Sequence, residues 1–407
     1  MLKGIFQRFG TPPKLALIST ALIVNIFVWY FCVFATFRTI VAQMEISQLE
    51  TFEIWIANFG GATLSALTGA TLAVKIKIRK KLLLVSTVLG VFSSLMLATV
   101  NTMIPSQILV LSCLLGISFG LGMPACMERF AGSTSTENRA RLGGFITFTS
   151  FVGTFAFSFV ILNAPVFTAA LLLATWRGLN LVISFGSTRP ENVIKDGGSY
   201  LSILSQRSFL LYFIPWIMFS LVNSLSLSVQ SGILSETLVE VSTIVENVLV
   251  GIFAIVSGFL SDFLGRKRVA IIGFVMSGLG YAVLGIYPEN LVSWYVYTVV
   301  DGVSGGIFFT VFFMTVWGDL AFGASSIKFY ALGGLPYLLS AFLRIVLESY
   351  IAQAVPVYAI FSFAAFFLFL AVVPLMYAPE TLPEKQIKER ELKGYIDKAK
   401  KTREKYT

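Results

Sequence analysis

Charge-free apolar runs of about 20 residues recur along nearly the whole chain, and no other feature restricts its fold so strongly. A helix of about 20 residues crosses a hydrocarbon core about 30 Å thick. Inside that core only helices and closed barrels satisfy every backbone N–H and C=O. The runs are continuous and do not alternate in the period of two that a barrel strand needs, so they read as helices. Composition agrees: 56% hydrophobic residues and 13% charged ones leave too little polar surface to clothe a soluble globule of 407 residues. The expectation is an all-α integral membrane protein.

Charges and turn residues divide the runs into twelve predicted spans: 15–37, 54–74, 82–101, 105–127, 143–162, 166–187, 208–230, 243–260, 269–287, 291–316, 330–352 and 356–378. Where no charged link separates neighbours, turn chemistry does, as at Asn101 to Pro105, Asn163 to Pro165, Pro288 to Asn290 and Val355-Pro356. All but three of the 30 Lys and Arg residues fall in the tails or on alternate loops, and the exceptions are Arg38, Arg177 and Arg344. The opposite loops carry Glu45, Glu50, Glu236, Glu240 and Glu289. Short cytoplasmic loops hold the basic excess, so both termini are expected in the cytoplasm. The first span has no small-residue cleavage pattern and is longer than a signal segment, so it is expected to stay in the mature chain.

The net charge of +9 is parcelled onto one membrane face, which suits anionic head groups of the lipid bilayer and gives no reason to expect a nucleic acid partner. The chain has no His, which removes histidine metal sites, Ser-His-Asp triads and imidazole relays. Cys32, Cys113 and Cys126 lie in spans without ligand spacing, and no phosphate-binding G-x-x-x-x-G-K-[ST] loop occurs. Neither a metal, a cofactor nor an enzymatic activity is expected.

Three landmarks repeat in order at nearly one offset. Gly116-Ile117-Ser118 echoes Gly302-Val303-Ser304 at 186 residues, Leu142-Gly143-Gly144 echoes Leu332-Gly333-Gly334 at 190, and the loop Leu72 to Lys80 answers Leu260 to Arg268 at 188. They imply two six-helix bundles, residues 1–187 and 208–378, joined by a cytoplasmic linker at 188–207. A charged tail follows at 379–407, where Lys, Arg and Glu alternate around Ile387, Leu392, Tyr395 and Ile396 as on a solvated surface helix.

Residues 258–268, Gly-Phe-Leu-Ser-Asp-Phe-Leu-Gly-Arg-Lys-Arg, closely resemble the G-x-L-x-D-x-x-G-R-[KR] signature of the major facilitator superfamily. The loop Thr136 to Arg141 followed by Gly143 is similar to that family's fourth-to-fifth helix loop, and Pro379-Glu380-Thr381 is similar to the end of its sugar porters. The resemblance implies the family's twelve-helix fold and transport of a small-molecule solute by alternating access. It also assigns Gly258, Asp262, Gly265, Arg266 and Lys267 a cytoplasmic gating role, with Asp262 and Arg266 able to pair across one turn. The first-half loop, residues 72–81, keeps the basic charge but has Val74 where the acid should stand, so the latch is expected to depend on Asp262.

An ionisable side chain at bilayer depth is functional by default. Arg177, Asp301, Arg344 and Glu348 are such residues. At 1.5 Å per residue, Asp301 sits about 15 Å below the outer end of its helix, and Arg344 reaches a similar depth on the next. The two can form an ion pair, and Glu348 shares a face with Arg344. One reading makes this cluster a proton-coupling device, the other a fixed structural bridge. Arg177 poses the same choice between an anion-binding cation and a packed residue. In the resembling fold helices 1, 4, 7 and 10 line the path, which adds Asn25 and Asn223. Glycines and prolines at Gly305-Gly306, Gly120 to Pro124 and Gly333 to Pro336 mark flexure points or close packing.

The combined expectation is a monomeric, multi-pass transporter of the cell membrane that moves a sugar or an organic anion. Facilitated diffusion and H+-coupled symport or antiport both stay open. The competing reading keeps the bundle without transport, as a receptor, sensor or assembly protein.

Overall fold

The computed structural model describes residues 13–185, 197–233, 235–354 and 356–382. Twelve long helices follow one another: α1 Pro13–Ala42, α2 Gln48–Lys75, α3 Arg79–Met96 with a 3-10 extension Leu97–Thr102, α4 Pro105–Ser133, α5 Arg139–Leu162 and α6 Val166–Phe185. After a short turn of helix at Tyr200–Leu204 come α7 Arg207–Ile233, α8 Glu236–Leu264, α9 Arg266–Ile286, α10 Leu291–Leu320, α11 Ile327–Ala354 and α12 Val357–Tyr377. The middle of α10, Phe309–Thr315, is π-helical.

Eleven of these helices are long and apolar enough to cross a membrane. The exception is α2, which has the length at 28 residues. Glycine, serine and threonine dilute its hydropathy because it packs closely on α4. Gly116 and Gly120, one turn apart on α4, face the carbonyls of Asn58 and Ala62 so tightly that a Cβ would collide with either. The same spacing recurs on α10, where a Cβ on Gly302 would come within 2.6 Å of the Leu249 side chain and one on Gly306 within 2.7 Å of the Ala254 nitrogen, both on α8. With no water to drive association, small residues that let backbones meet do the packing. The glycine of the repeated Gly-x-Ser therefore lies on the contact face of two equivalent helix pairs.

Other pairings repeat in the same way. Helix α1 packs on α5 and α6 as α7 does on α11 and α12, and α3 packs on α6 as α9 does on α12. Across the halves, α5 meets α8 and α10, and α11 meets α2.

Several boundaries differ from the sequence expectation. Helix α2 starts at Gln48 because Ser47 caps it and Glu50 closes a capping box. The Ser47 hydrogen bonds hold the exposed Glu50 carboxyl below its ordinary value. Helix α8 starts at Glu236, seven residues before the expected span, so Glu246 lies well inside it. The amphipathic tail beyond residue 382 and residues 188–196 of the hydrophilic linker lie outside the described residues.

The signature glycines have separate duties. Gly265 holds φ +101° between α8 and α9, a conformation that costs other residues strain. Its first-half equivalent, Lys77, also turns through positive φ, at +57°. Gly258 brings α8 against the start of α5, where a Cβ would fall 2.6 Å from the Ala140 carbonyl and 3.1 Å from the Arg141 Cα. We expect Gly258→Val to push these helices apart and cost roughly 1–3 kcal/mol. Gly132→Ala meets nothing within 4 Å and should stay within about 0.5 kcal/mol. Thermal unfolding of the two purified variants checks the difference.

Candidate functional site

At the end of the molecule that carries the signature, two carboxylates hold the halves together. Asp262, buried on α8, receives the backbone N–H groups of Ala140 (3.3 Å) and Arg141 (3.0 Å) at the start of α5. It also accepts from Arg141 Nε at 2.9 Å and pairs with Arg266 Nη2 at 2.9 Å. The first turn of any helix leaves N–H groups without intrahelical partners, and an acid from the other half fills that need. The expected Asp262–Arg266 pairing is present. Arg266 also reaches Asp319 on α10 (Nε to Oδ2, 3.0 Å) and the carbonyl of Thr136.

Asp319, fully buried at its carboxylate, is a centre the sequence reading did not single out. It receives Arg139 from the first half, Arg266 from the second and the hydroxyl of Thr381 (3.1 Å). Glu380 completes the arrangement by accepting from the backbone N–H groups of Arg266 (2.8 Å) and Lys267 (3.2 Å). Lys267 itself bonds the Met376 carbonyl at 2.7 Å, so its side chain serves its own half.

The first half repeats part of this. Arg79 pairs with Glu128 at 2.9 Å, and Ser325, just before α11, donates to the same carboxylate. Val74 supplies no acid, so the Arg–carboxylate pair survives there while the helix-capping carboxylate does not. Glu128 and Asp319, which end α4 and α10, hold equivalent places.

Beyond the latch, between the halves, lies a narrow cavity of about 50 Å³. Phe27, Tyr30, Phe119 and Met123 line it from the first half, and Phe313, Trp317 and Tyr337 from the second. Among the described residues no charged side chain lines it. Tyr30 stacks on Phe119 at 3.8 Å, and Phe27 meets Phe313 at 5.0 Å across the halves. Farther from the latch, Phe342 of α11 packs against Phe52 (5.9 Å) and Phe59 (5.8 Å) of α2. The π-helical stretch places Phe313 on the cavity wall, and such local rewinding is frequent at functional sites.

The ionisable residues predicted for the path lie behind this wall. Arg177 is fully buried and donates to Asn25 Oδ1 (3.2 Å) and Ser86 Oγ (2.7 Å), with its guanidinium 4.8 Å from the Trp29 ring centroid. Asn25 in turn donates to the Trp176 carbonyl. Two predicted path residues thus meet each other and brace α1, α3 and α6.

Asp301 is buried, with Glu246 of α8 and Tyr297 beside it. Arg344 lies near enough to Glu246 and Tyr337 to act on both electrostatically. Glu246 thus joins the Asp301 and Arg344 that the sequence reading paired. The sequence reading did not single it out, although it falls inside the expected span 243–260. Asn223, half-buried on α7, accepts Ser226 Oγ at its carbonyl (3.0 Å). The Glu348 side chain lies outside the described residues.

A family model described as Major Facilitator Superfamily matches residues 198–404. The proton:xylose symporter XylE bound to 6-bromo-6-deoxy-D-glucose is similar in structure at TM-score 0.71 and 14% identity, over 90% of this chain and 96% of that one. The transporter FucP in the outward conformation is similar at TM-score 0.73 and 10% identity, over 90% and 100%. The human organic anion transporter MFSD10 (TETRAN) is similar at TM-score 0.64 and 14% identity, over 89% and 100%. No curated protein sequence matches the chain significantly. At these identities the structural likeness is one of fold, and the family match covers more than half of the chain. With the twelve-helix arrangement and the signature latch, they establish that this chain belongs to the major facilitator superfamily of membrane transporters.

Proposed function

We propose that this transporter carries a small, uncharged, mainly apolar organic solute by alternating access, and that it couples this movement to protons at the Asp301–Glu246 pair. The observation that carries the first part is the aromatic cavity between the halves, whose lining holds no charged side chain. Apolar sites with few polar groups suit compact organic ligands. A sugar would bring a ring of hydroxyls, yet Tyr30 already bonds Asn58 and Tyr330 already bonds the Met314 carbonyl. Hydroxyls left without partners weigh heavily against binding. An organic anion would need a cation in the lining, and Arg177 is enclosed by Asn25, Ser86 and Trp29, none of which lines the cavity.

Proton coupling rests on the carboxyl pair. Two carboxyl groups brought close together cannot both ionise readily, so such a pair tends to hold one proton, and this pair lies inside helices that cross the bilayer. The latch supports the alternating part. It joins the halves through buried ion pairs at one end, and its opening would admit solute there. By the distribution of Lys and Arg that end faces the cytoplasm. A monomer in the cell membrane fits this reading.

In proteoliposomes, saturable counterflow is expected for uncharged aromatic solutes and not for free sugars or organic acids. Exchange of only the latter two would refute the assignment. Asp301→Asn should abolish accumulation driven by a pH gradient and leave counterflow intact. Asp319→Asn removes the shared partner of two buried arginines, a change that costs about 3–5 kcal/mol in comparable buried pairs. A cysteine placed at Ser326 should then react with membrane-impermeant thiol reagents at least about tenfold faster, and an unchanged rate would show that the latch does not hold this end closed.

A further inference from the structure

A line of hydroxyls runs from Asp301 to α7. Tyr297 and Asp301 stand four residues apart on one face of α10, both buried, and the Tyr297 hydroxyl lies 3.0 Å from that of Tyr281 on α9. The Tyr281 hydroxyl lies 2.6 Å from Ser226 Oγ on α7. Ser226 Oγ is in turn 3.0 Å from the Asn223 carbonyl. Tyr281, Tyr297 and Ser226 are each 2% exposed or less, so none can turn to water for a substitute partner.

Each hydroxyl has one proton to donate and can accept in return. That fixes the direction of the whole line once one end is set. If Asp301 is ionised it accepts from Tyr297, which accepts from Tyr281, which accepts from Ser226, and the Asn223 carbonyl loses its donor. If Asp301 carries a proton toward Tyr297, every bond reverses and Ser226 donates to Asn223. The heavy atoms fit both directions. No bond to a heavy atom breaks, because each hydroxyl only rotates about its C–O bond. Hydrogen bonds in such lines polarise one another, so the two uniform directions are favoured over a broken one.

We propose that Tyr297, Tyr281 and Ser226 form a reversible hydroxyl relay that reports the protonation of Asp301 at the backbone of α7. The relay rests on the proton-coupling reading above and adds the route by which the proton is felt on a helix that does not touch the carboxyl pair. The charged and titratable groups facing Asp301 are Glu246 from α8, Tyr297 on its own helix and Tyr281 from α9, while Arg344 from α11 acts through Glu246. Asn223 is the recipient of the signal, and its side chain needs no contact with solute.

The test is infrared difference spectroscopy of the full-length protein in liposomes across a pH step, with no solute present. The carboxylic-acid C=O band that disappears in Asp301→Asn marks the proton. In the wild type the phenol C–O bands of tyrosine should change at the same pH as that band. Tyr281→Phe should keep the carboxyl band and leave roughly half of the phenol signal, one of two hydroxyls being gone. Ser226→Ala, which removes only the far end, should still alter the Tyr281 contribution. A carboxyl band that titrates while the phenol bands stay still overturns the relay and leaves proton coupling standing. The absence of any Asp301-dependent band overturns both, and retention of the helical amide bands in each variant separates either result from misfolding.

Discussion

The architecture depends on two carboxylates kept dry at one end of the bundle. Asp262 and Asp319 gather three arginines and two helix-start N–H groups drawn from both halves. A buried charge with one partner is expensive, whereas a charge with several hydrogen-bonded partners is not. The cluster is therefore stable only when both halves supply their members together. That makes it a fastening to which both halves contribute, at the end of the molecule that carries the signature.

Polar and apolar groups are sorted differently within the halves and between them. Inside each half, ionisable side chains are locked by neutral or opposite partners: Arg177 by Asn25, Ser86 and Trp29, and Asp301 by Glu246 and Tyr297. Between the halves, away from the latch, the cavity walls meet through aromatic rings. Aromatic surfaces slide and separate without leaving polar atoms unsatisfied, which suits faces that must part during transport. Fixed polar contacts suit bundles that must stay whole. The lopsided chemistry follows the same division, since the first half retains Arg79–Glu128 and lacks the capping acid at Val74.

Some of the site was legible in the chain because its cause is local. Asp262 and Arg266 pair since they stand four apart, and Gly265 turns the chain since its φ demands glycine. Other members were hidden because their roles come from distant segments. Asp319 reads as one acid at the end of a span, and only Arg139 and Arg266 converging on it reveal its place. Its counterpart Glu128 on α4 is equally silent until Arg79 is seen to meet it. Glu246 was not singled out although it falls inside the expected span 243–260. Arg139 and Arg141 belonged to a recognised loop, yet nothing in that loop says which acids they meet. The aromatic character of the cavity was equally out of reach, because phenylalanines spread over α1, α4 and α10 look like ordinary lipid-facing residues.

The sequence by itself determined that the chain crosses a membrane many times, that its helices come in two related sets, and that one loop carries a family signature. Hydropathy, charge placement and short-range spacing act within a segment, so a single strand of letters records them. Only the tertiary structure decided which charges face each other, which face of each helix meets the partner half, and that the predicted path residues Arg177 and Asn25 brace one another behind the cavity wall. Those outcomes depend on how helices far apart in the chain are rotated and set in depth against each other, and the rotation is settled by packing glycines and buried ion pairs acting together.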